Sequence, residues 1–470
     1  MVLPPMAVAL PKGSKDLLGD DGGLTMKELG LSRRKLLRNA ALGTAALALP
    51  VSRVTPSAAM VKTLNFYSWT YGISFVKQRI AEFEKLAKVK INYGNTPGSK
   101  YHDALVVKFS GKTPLDVIYM IDGHLAEFVE AGWLYPIDEF PRVDEYRKEF
   151  IGPTAEALTY NGKLYGLPYY VGHMAFLYNE EHLEKAGIGA PPKTWDEVVQ
   201  QSLQIKSKGI QEYPFLQFLK ADFWMGELLF TMMYSRGGRF VDEKYNVMGY
   251  DKEGSAAAQA IQWIIDAANK HKITQPGFLE LNEVAALKAF SSGTGSFAIL
   301  PNYRLRAANE PKSSKVAGKV KMALIPTANN AKPNVCGWTR CYSMTASAAK
   351  DPARKAMSWK MVDFLGGKDK SGTYRTAKKW FTEFGLGFGH APLFKDPDII
   401  AAANKWGEAK LFESQMALSK PKDGQKAVWY AEWDQFMRPR VHKAILGQAD
   451  IVGTLKTLTK QWNRLKRRYG

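Results

Sequence analysis

Cysteine is nearly absent from this 470-residue chain, which carries only Cys336 and Cys341. With no CxxC pair beside them, a disulfide-stapled scaffold and the usual zinc sets are excluded. On one extended strand, residues five apart lie about 16 Å from each other on opposite faces, so a bridge between these two needs a turn at Gly337. The pairing stays open. The seven histidines fall at no metal-ligand spacing, so neither a metal nor another cofactor is expected. No GxSxG elbow marks a nucleophile. Gly385-Leu386-Gly387-Phe388-Gly389 lacks the preceding strand and following helix of a phosphate-cradling loop and reads as a turn. No nucleic-acid-binding signature occurs. Long apolar runs are missing too: beyond the N-terminus no stretch approaches the ~18–20 residues that cross a bilayer.

Acidic charge is comparatively scarce. Lys and Arg number 65 against 45 Asp and Glu, a formal charge of +20, and beyond residue 59 the balance is 57 against 41. The excess is spread along the chain, with its densest cluster at Arg464-Leu465-Lys466-Arg467-Arg468. A diffuse positive field draws anionic surfaces and solutes from a distance without specifying one. Length allows two or three domains, and 46% apolar with 23% charged residues is ordinary for a folded protein.

What is present begins with a leader. Residues 32–38 read Ser-Arg-Arg-Lys-Leu-Leu-Arg and precede a small-residue stretch, 40–50, and then Ser57-Ala58-Ala59. A basic region, a modestly apolar segment and a small-residue cleavage site are the three parts of a secretory signal. The Arg33-Arg34 pair resembles the twin-arginine export signal. Cleavage before Met60 is expected, with delivery to the periplasm and, since no cysteine follows, no lipid anchor. That export route suits proteins that fold before crossing, so a secreted carbohydrate-active or redox enzyme is an alternative reading.

Past residue 60 the pattern alternates strands and helices: strands at 62–69, 89–93 and 115–120, helices at 74–88, 99–112 and 124–133. A second set follows, with 164–170 extended, 174–186 and 195–208 helical, and further elements to residue 300. The last third is mainly helical apart from 320–325 and 336–344. This period predicts mostly parallel sheets covered by helices, arranged as two α/β lobes. Ligands of such sheets sit beyond the carboxyl ends of the strands. The loops there, 70–72, 121–124, 171–173, 219–224 and 301–304, are rich in aromatics and hydrogen-bonding groups, the chemistry that sugars select.

The segment Asn161–Val198, NGKLYGLPYYVGHMAFLYNEEHLEKAGIGAPPKTWDEV, carries a more specific signal. Gly162, Tyr165-Gly166, Pro168, Tyr178-Asn179, Ala186-Gly187 and Pro192–Glu197 strongly resemble the family 1 extracellular solute-binding proteins, which include maltodextrin and glycerol-phosphate binders. Gly132-Trp133-Leu134-Tyr135-Pro136-Ile137-Asp138, Ala289–Ile299 and Cys336–Leu365 agree with the same family, so the likeness covers essentially residues 60–470.

The resemblance implies a type II periplasmic-binding-protein clamshell with three interlobe crossings. Lobe one is placed at 60–168 and about 340–390, and lobe two at 169–336 and about 395–470. It further implies capture of a carbohydrate or derivative by a monomer, delivery to an inner-membrane ABC permease, and no catalysis. The family positions carried over are Trp69, Thr70 and Tyr71 after the first strand, Asp122 and His124 after Met120, and Tyr170 and His173 at the first crossing. Trp224 and Tyr303 come from lobe two, Gly337 and Trp338 from the second crossing, and Trp429 from VWYAEW. Where relatives commonly have two glycines, this chain has Cys336-Gly337, followed by Arg340. Arg304, Arg340 and His173 together would suit an anionic sugar. A polyamine is the alternative solute, although only Asp122 and Asp222 bring carboxylates to these loops.

Overall fold

The computed structural model describes residues 60–470; the expected leader, its arginine pair and its cleavage site lie outside the described residues. The strands in chain order are β1 (Thr63–Trp69), β2 (Lys90–Thr96), β3 (Val117–Ile121), β4 (Thr159–Tyr160), β5 (Lys163–Leu164), β6 (Leu167–Asn179), β7 (Phe215–Leu216), β8 (Phe297–Pro301), β9 (Val320–Ala323), β10 (Val335–Met344) and β11 (Ser419–Lys420). All but the β4–β5 hairpin join one sheet of order β2-β1-β3-β10-β6-β8-β7, with β11 beside β10 and β9 beside β6. β1 is parallel to β2 and β3, as the crossover helices Ile73–Ala87 and Gly98–Ser110 require. The first helix turns Phe75, Val76, Ile80 and Phe83 inward, close to the periodicity read from sequence.

Two long strands hold the halves together. β6 pairs with β10 over Leu167–His173 and with β8 and β9 over Met174–Asn179. β10 pairs with β11 at its start, with β6 from Gly337 and with β3 from Arg340 onward. A third strip of chain runs beside β6, where Val171 N donates to Gly387 O at 3.4 Å and Ile151 N to Gly389 O at 3.0 Å. A Cβ on Gly387 would fall 2.0 Å from the Val171 carbonyl oxygen, so only glycine permits that approach. The GLGFG run is therefore a chain passage against β6.

The expected helix over 174–186 is corrected. Met174–Asn179 continues β6, and only Glu180–Ala186 is helical, begun by Asn179 Oδ1 accepting from His182 N. A continuous apolar run fits a strand buried on both faces as well as a buried helix, and pairing with β8 and β9 decides for the strand. β10 passes Gly337 without a turn. Cys336 and Cys341 both stay free and buried.

Candidate functional site

β3 ends one residue before Asp122, and Ile121 lies opposite Arg340 of β10. That register brings the two side chains together: Arg340 Nη1 donates to Asp122 Oδ1 at 2.5 Å, with 6% and 2% of the side chains exposed. Oδ1 also accepts from Gly123 N at 2.9 Å, and Oδ2 from Thr339 N at 2.7 Å and from Gln425 Nε2 at 3.4 Å. Burial opposes the Arg340 charge, but Asp122 together with Tyr119, Tyr170 and Glu227 outweighs it and holds the guanidinium above its usual pKa. With four donors on two oxygens the carboxylate is fully engaged. Asp122 is neither a helix cap nor a free acceptor: it clamps β3, β10 and the C-terminal segment.

Around this clamp runs a band of rings. Trp69, half-buried at the end of β1, stacks on Tyr119 at 5.3 Å, on Tyr71 at 5.1 Å and on Tyr170 of β6 at 6.3 Å. Tyr71 meets Tyr303 edge-on at 6.2 Å. Trp338 Nε1 donates to the Tyr170 hydroxyl at 3.1 Å, and the Trp338 ring meets Trp224 at 5.5 Å and 72°. Trp69, Tyr71, Tyr170, Tyr303, Trp224 and Trp338 thus form one continuous chain of ring contacts, in which Trp69, Tyr71 and Trp224 are half-buried and the other three buried. Trp224 is oriented by Asp222, which caps its helix by accepting from Trp224 N at 2.9 Å. Thr70 is exposed at the band's edge.

Two further charged pairs near the band are compensated from within. Arg304 donates to both oxygens of Glu283, at 2.5 and 2.7 Å. Lys422 Nζ donates to Glu227 Oε1 at 2.6 Å, with side chains 9% and 2% exposed. His173 is fully buried, its Nδ1 3.0 Å from Met174 O, and burial pushes its pKa down to about 4. His124 lies 4.5 Å from His102, and burial together with His102, Arg340 and Lys422 holds it well below the ordinary histidine range. Both guanidiniums are thus already paired, and burial disfavours the charged form of His173. Gly337 pairs with His173 and leaves room for Ser419, whose Cβ would lie 2.8 Å from an added Cβ. Trp429 is placed elsewhere. It packs against Tyr245 at 5.4 Å and Trp462 at 5.6 Å, among the C-terminal helices.

Residues 68–371 match the model of the bacterial extracellular solute-binding protein family. The chain belongs to that family. As a solute-binding protein it is 26% identical over 336 residues to a Brucella abortus binding protein, covering 71% of this chain and 76% of that one. Maltose-bound MalE3 of T. maritima shares the fold at TM-score 0.75 and 22% identity, over 86% of this chain and 99% of that one. An ABC transporter solute-binding protein of Agrobacterium vitis S4 with bound D-mannitol does so at TM-score 0.69 and 21% identity, over 87% and 99%. No described helix is long and apolar enough to cross a membrane.

The solute-binding protein's site contains residues that sequence reading missed. Tyr119, Glu227 and the pair Lys422 and Gln425 come from three distant segments and match no motif, so only the sheet register and the helix contacts bring them together. Its buried histidine carries a pH signature. His173 binds a proton near pH 4 when folded and near 6.5 when unfolded, so the unfolded chain holds more protons between those values. Stability contributed by neutral His173 is complete above pH 6.5 and is expected to fall by about 3 kcal/mol as pH drops to 4. Urea unfolding of His173→Gln across this window should show a shallower slope than wild type; an unchanged slope would contradict the burial argument.

Proposed function

We propose that the protein captures an uncharged carbohydrate or sugar alcohol on the aromatic band between its two lobes and delivers it to an ABC importer permease. The observation that carries this reading is the pairing of that band with charges that are already satisfied. Sugar C–H faces gain from stacking on Trp69, Tyr71 and Trp224, while a charged solute finds no free counter-ion among Asp122, Arg340, Glu283, Arg304, Glu227 and Lys422. A polyamine would need several unpaired carboxylates, and of the two in these loops Asp122 is taken by Arg340, which leaves Asp222 beside Trp224. The solved relatives' bound maltose and D-mannitol belong to the same chemical class.

In this reading the lobes are 60–168 with about 340–390, and 169–336 with about 395–470. β6, β10 and the passage near residue 387 act as hinges, and closure is what the permease reads. The protein works as a monomer in the periplasm, exported folded by the twin-arginine route, without a lipid anchor or catalysis. Thermal unfolding of the chain from Met60, against neutral sugars, sugar alcohols, sugar phosphates, uronates and polyamines, tests it. A solute at a hundred times its dissociation constant should add about 2.7 kcal/mol to stability. Neutral sugars or sugar alcohols are expected to give the shift, with no solute consumed. A shift confined to anionic sugars or polyamines would remove the assignment.

A further inference from the structure

At the start of the helix Ala256–Asn269 lies a cavity of about 340 Å³ whose wall includes Arg236, Arg239, Ser255, Gln259 and Asn329 but no aspartate or glutamate. Arg236 is 4% exposed. Its guanidinium lies over the Trp195 ring at 4.6 Å and donates from Nη1 to Met232 O at 2.9 Å. The carboxylate that acts on it is Asp196, and no ion pair joins the two among the described residues. The contrast with the other buried guanidiniums is sharp, because Arg79 is ion-paired with Glu82 and Arg340 with Asp122. Desolvation lowers the Arg236 pKa to about 9. A buried, uncompensated cation is costly unless something brings it a negative charge.

Two more features of the same wall favour an anion. Arg239 is held through Nε by both oxygens of Asp423 at 2.9 Å, which leaves its Nη nitrogens unengaged among the described residues. The 14-residue helix opens on the cavity with Ser255 Oγ accepting from Ala258 N and Ser255 O from Gln259 N, so the amides of Ala256 and Ala257 remain as donors with the positive end of the helix dipole behind them. Gly238 brings the arginine loop against this helix start, where a Cβ would meet the Ala256 Cβ at 2.5 Å.

We propose that this cavity binds a small oxyanion of the phosphate or sulfate class through Arg236, Arg239 and the amides of Ala256 and Ala257. The site is separate from the aromatic band and independent of the solute captured there. Calorimetric titration of the purified chain with inorganic phosphate, and separately with sulfate, at constant ionic strength set by chloride, tests it. One saturable site is expected. Arg236→Met removes the charge and keeps the stem over Trp195. Gln259→Glu places a carboxylate in the cavity, keeps the acceptor for Asn329, and answers the question should the first variant fail to fold. Each should weaken binding about tenfold or more, as loss of a charge-assisted hydrogen bond implies. Saturable binding unchanged in the variants, or no binding beyond what chloride reproduces, would overturn the site.

Discussion

Replacing Asp122 with alanine is expected to cost the fold about 3–5 kcal/mol, read as a lowered urea midpoint at unchanged slope. The size follows from what the carboxylate leaves behind. Arg340 stays 5% exposed with its counter-ion gone, and Thr339 N and Gly123 N lose their acceptors. Adding Arg340→Met should restore a large part of the loss, because the uncompensated charge, more than the missing attraction, dominates the cost. Asp122→Asn keeps the acceptor for Thr339 and should fall between wild type and alanine. If the alanine variant unfolded within about 1 kcal/mol of wild type, as an exposed ion pair would allow, the clamp would be no structural element.

Gly172→Ala is expected to abolish solute binding while the fold survives with a loss of about 1–3 kcal/mol, the usual cost of overpacking. An added Cβ would sit 2.5 Å from both Cε2 and Nε1 of Trp338. The indole is rigid and β10 is paired on both sides, so the ring must swing out of place. That breaks its bond to the Tyr170 hydroxyl and its contact with Trp224, dismantling one end of the aromatic band. Calorimetry with the solute found in the thermal screen measures the loss. Retained affinity would show that Trp338 is packing and no part of the binding surface. Trp429→Phe supplies the control: it sits against Tyr245 and Trp462, and solute affinity should hold.

The strand–helix alternation of residues 62–133 was legible because the helix Ile73–Ala87 buries one face at helical spacing, and because Pro97 and Gly111 mark the ends of β2 and of the helix after it. Met174–Asn179 was not legible, because a run buried on every side shows no period at all. The aromatic residues of the band were found from loop positions and family resemblance, and the structure brings most of them into contact. The charge state of the site was hidden. Arg304 with Glu283 and Arg340 with Asp122 are separated by 21 and 218 positions, and nothing local marks either partner. Trp429 shows the limit from the other side, since a motif fixes where a residue falls on a helix but not which neighbour its ring meets.

The place of β10 at the middle of the sheet governs how the chain is made. Its partners β3 and β6 have left the ribosome long before Val335 is synthesised, and until then each presents an unpaired edge. The first 330 or so residues therefore cannot complete their sheet, however good their local helices. Assembly waits for a late, long-range docking event, and slow non-local pairing of this kind exposes apolar strands to one another in the meantime. A chain cut short before Val335 would leave an open seam where the molecule now has its centre.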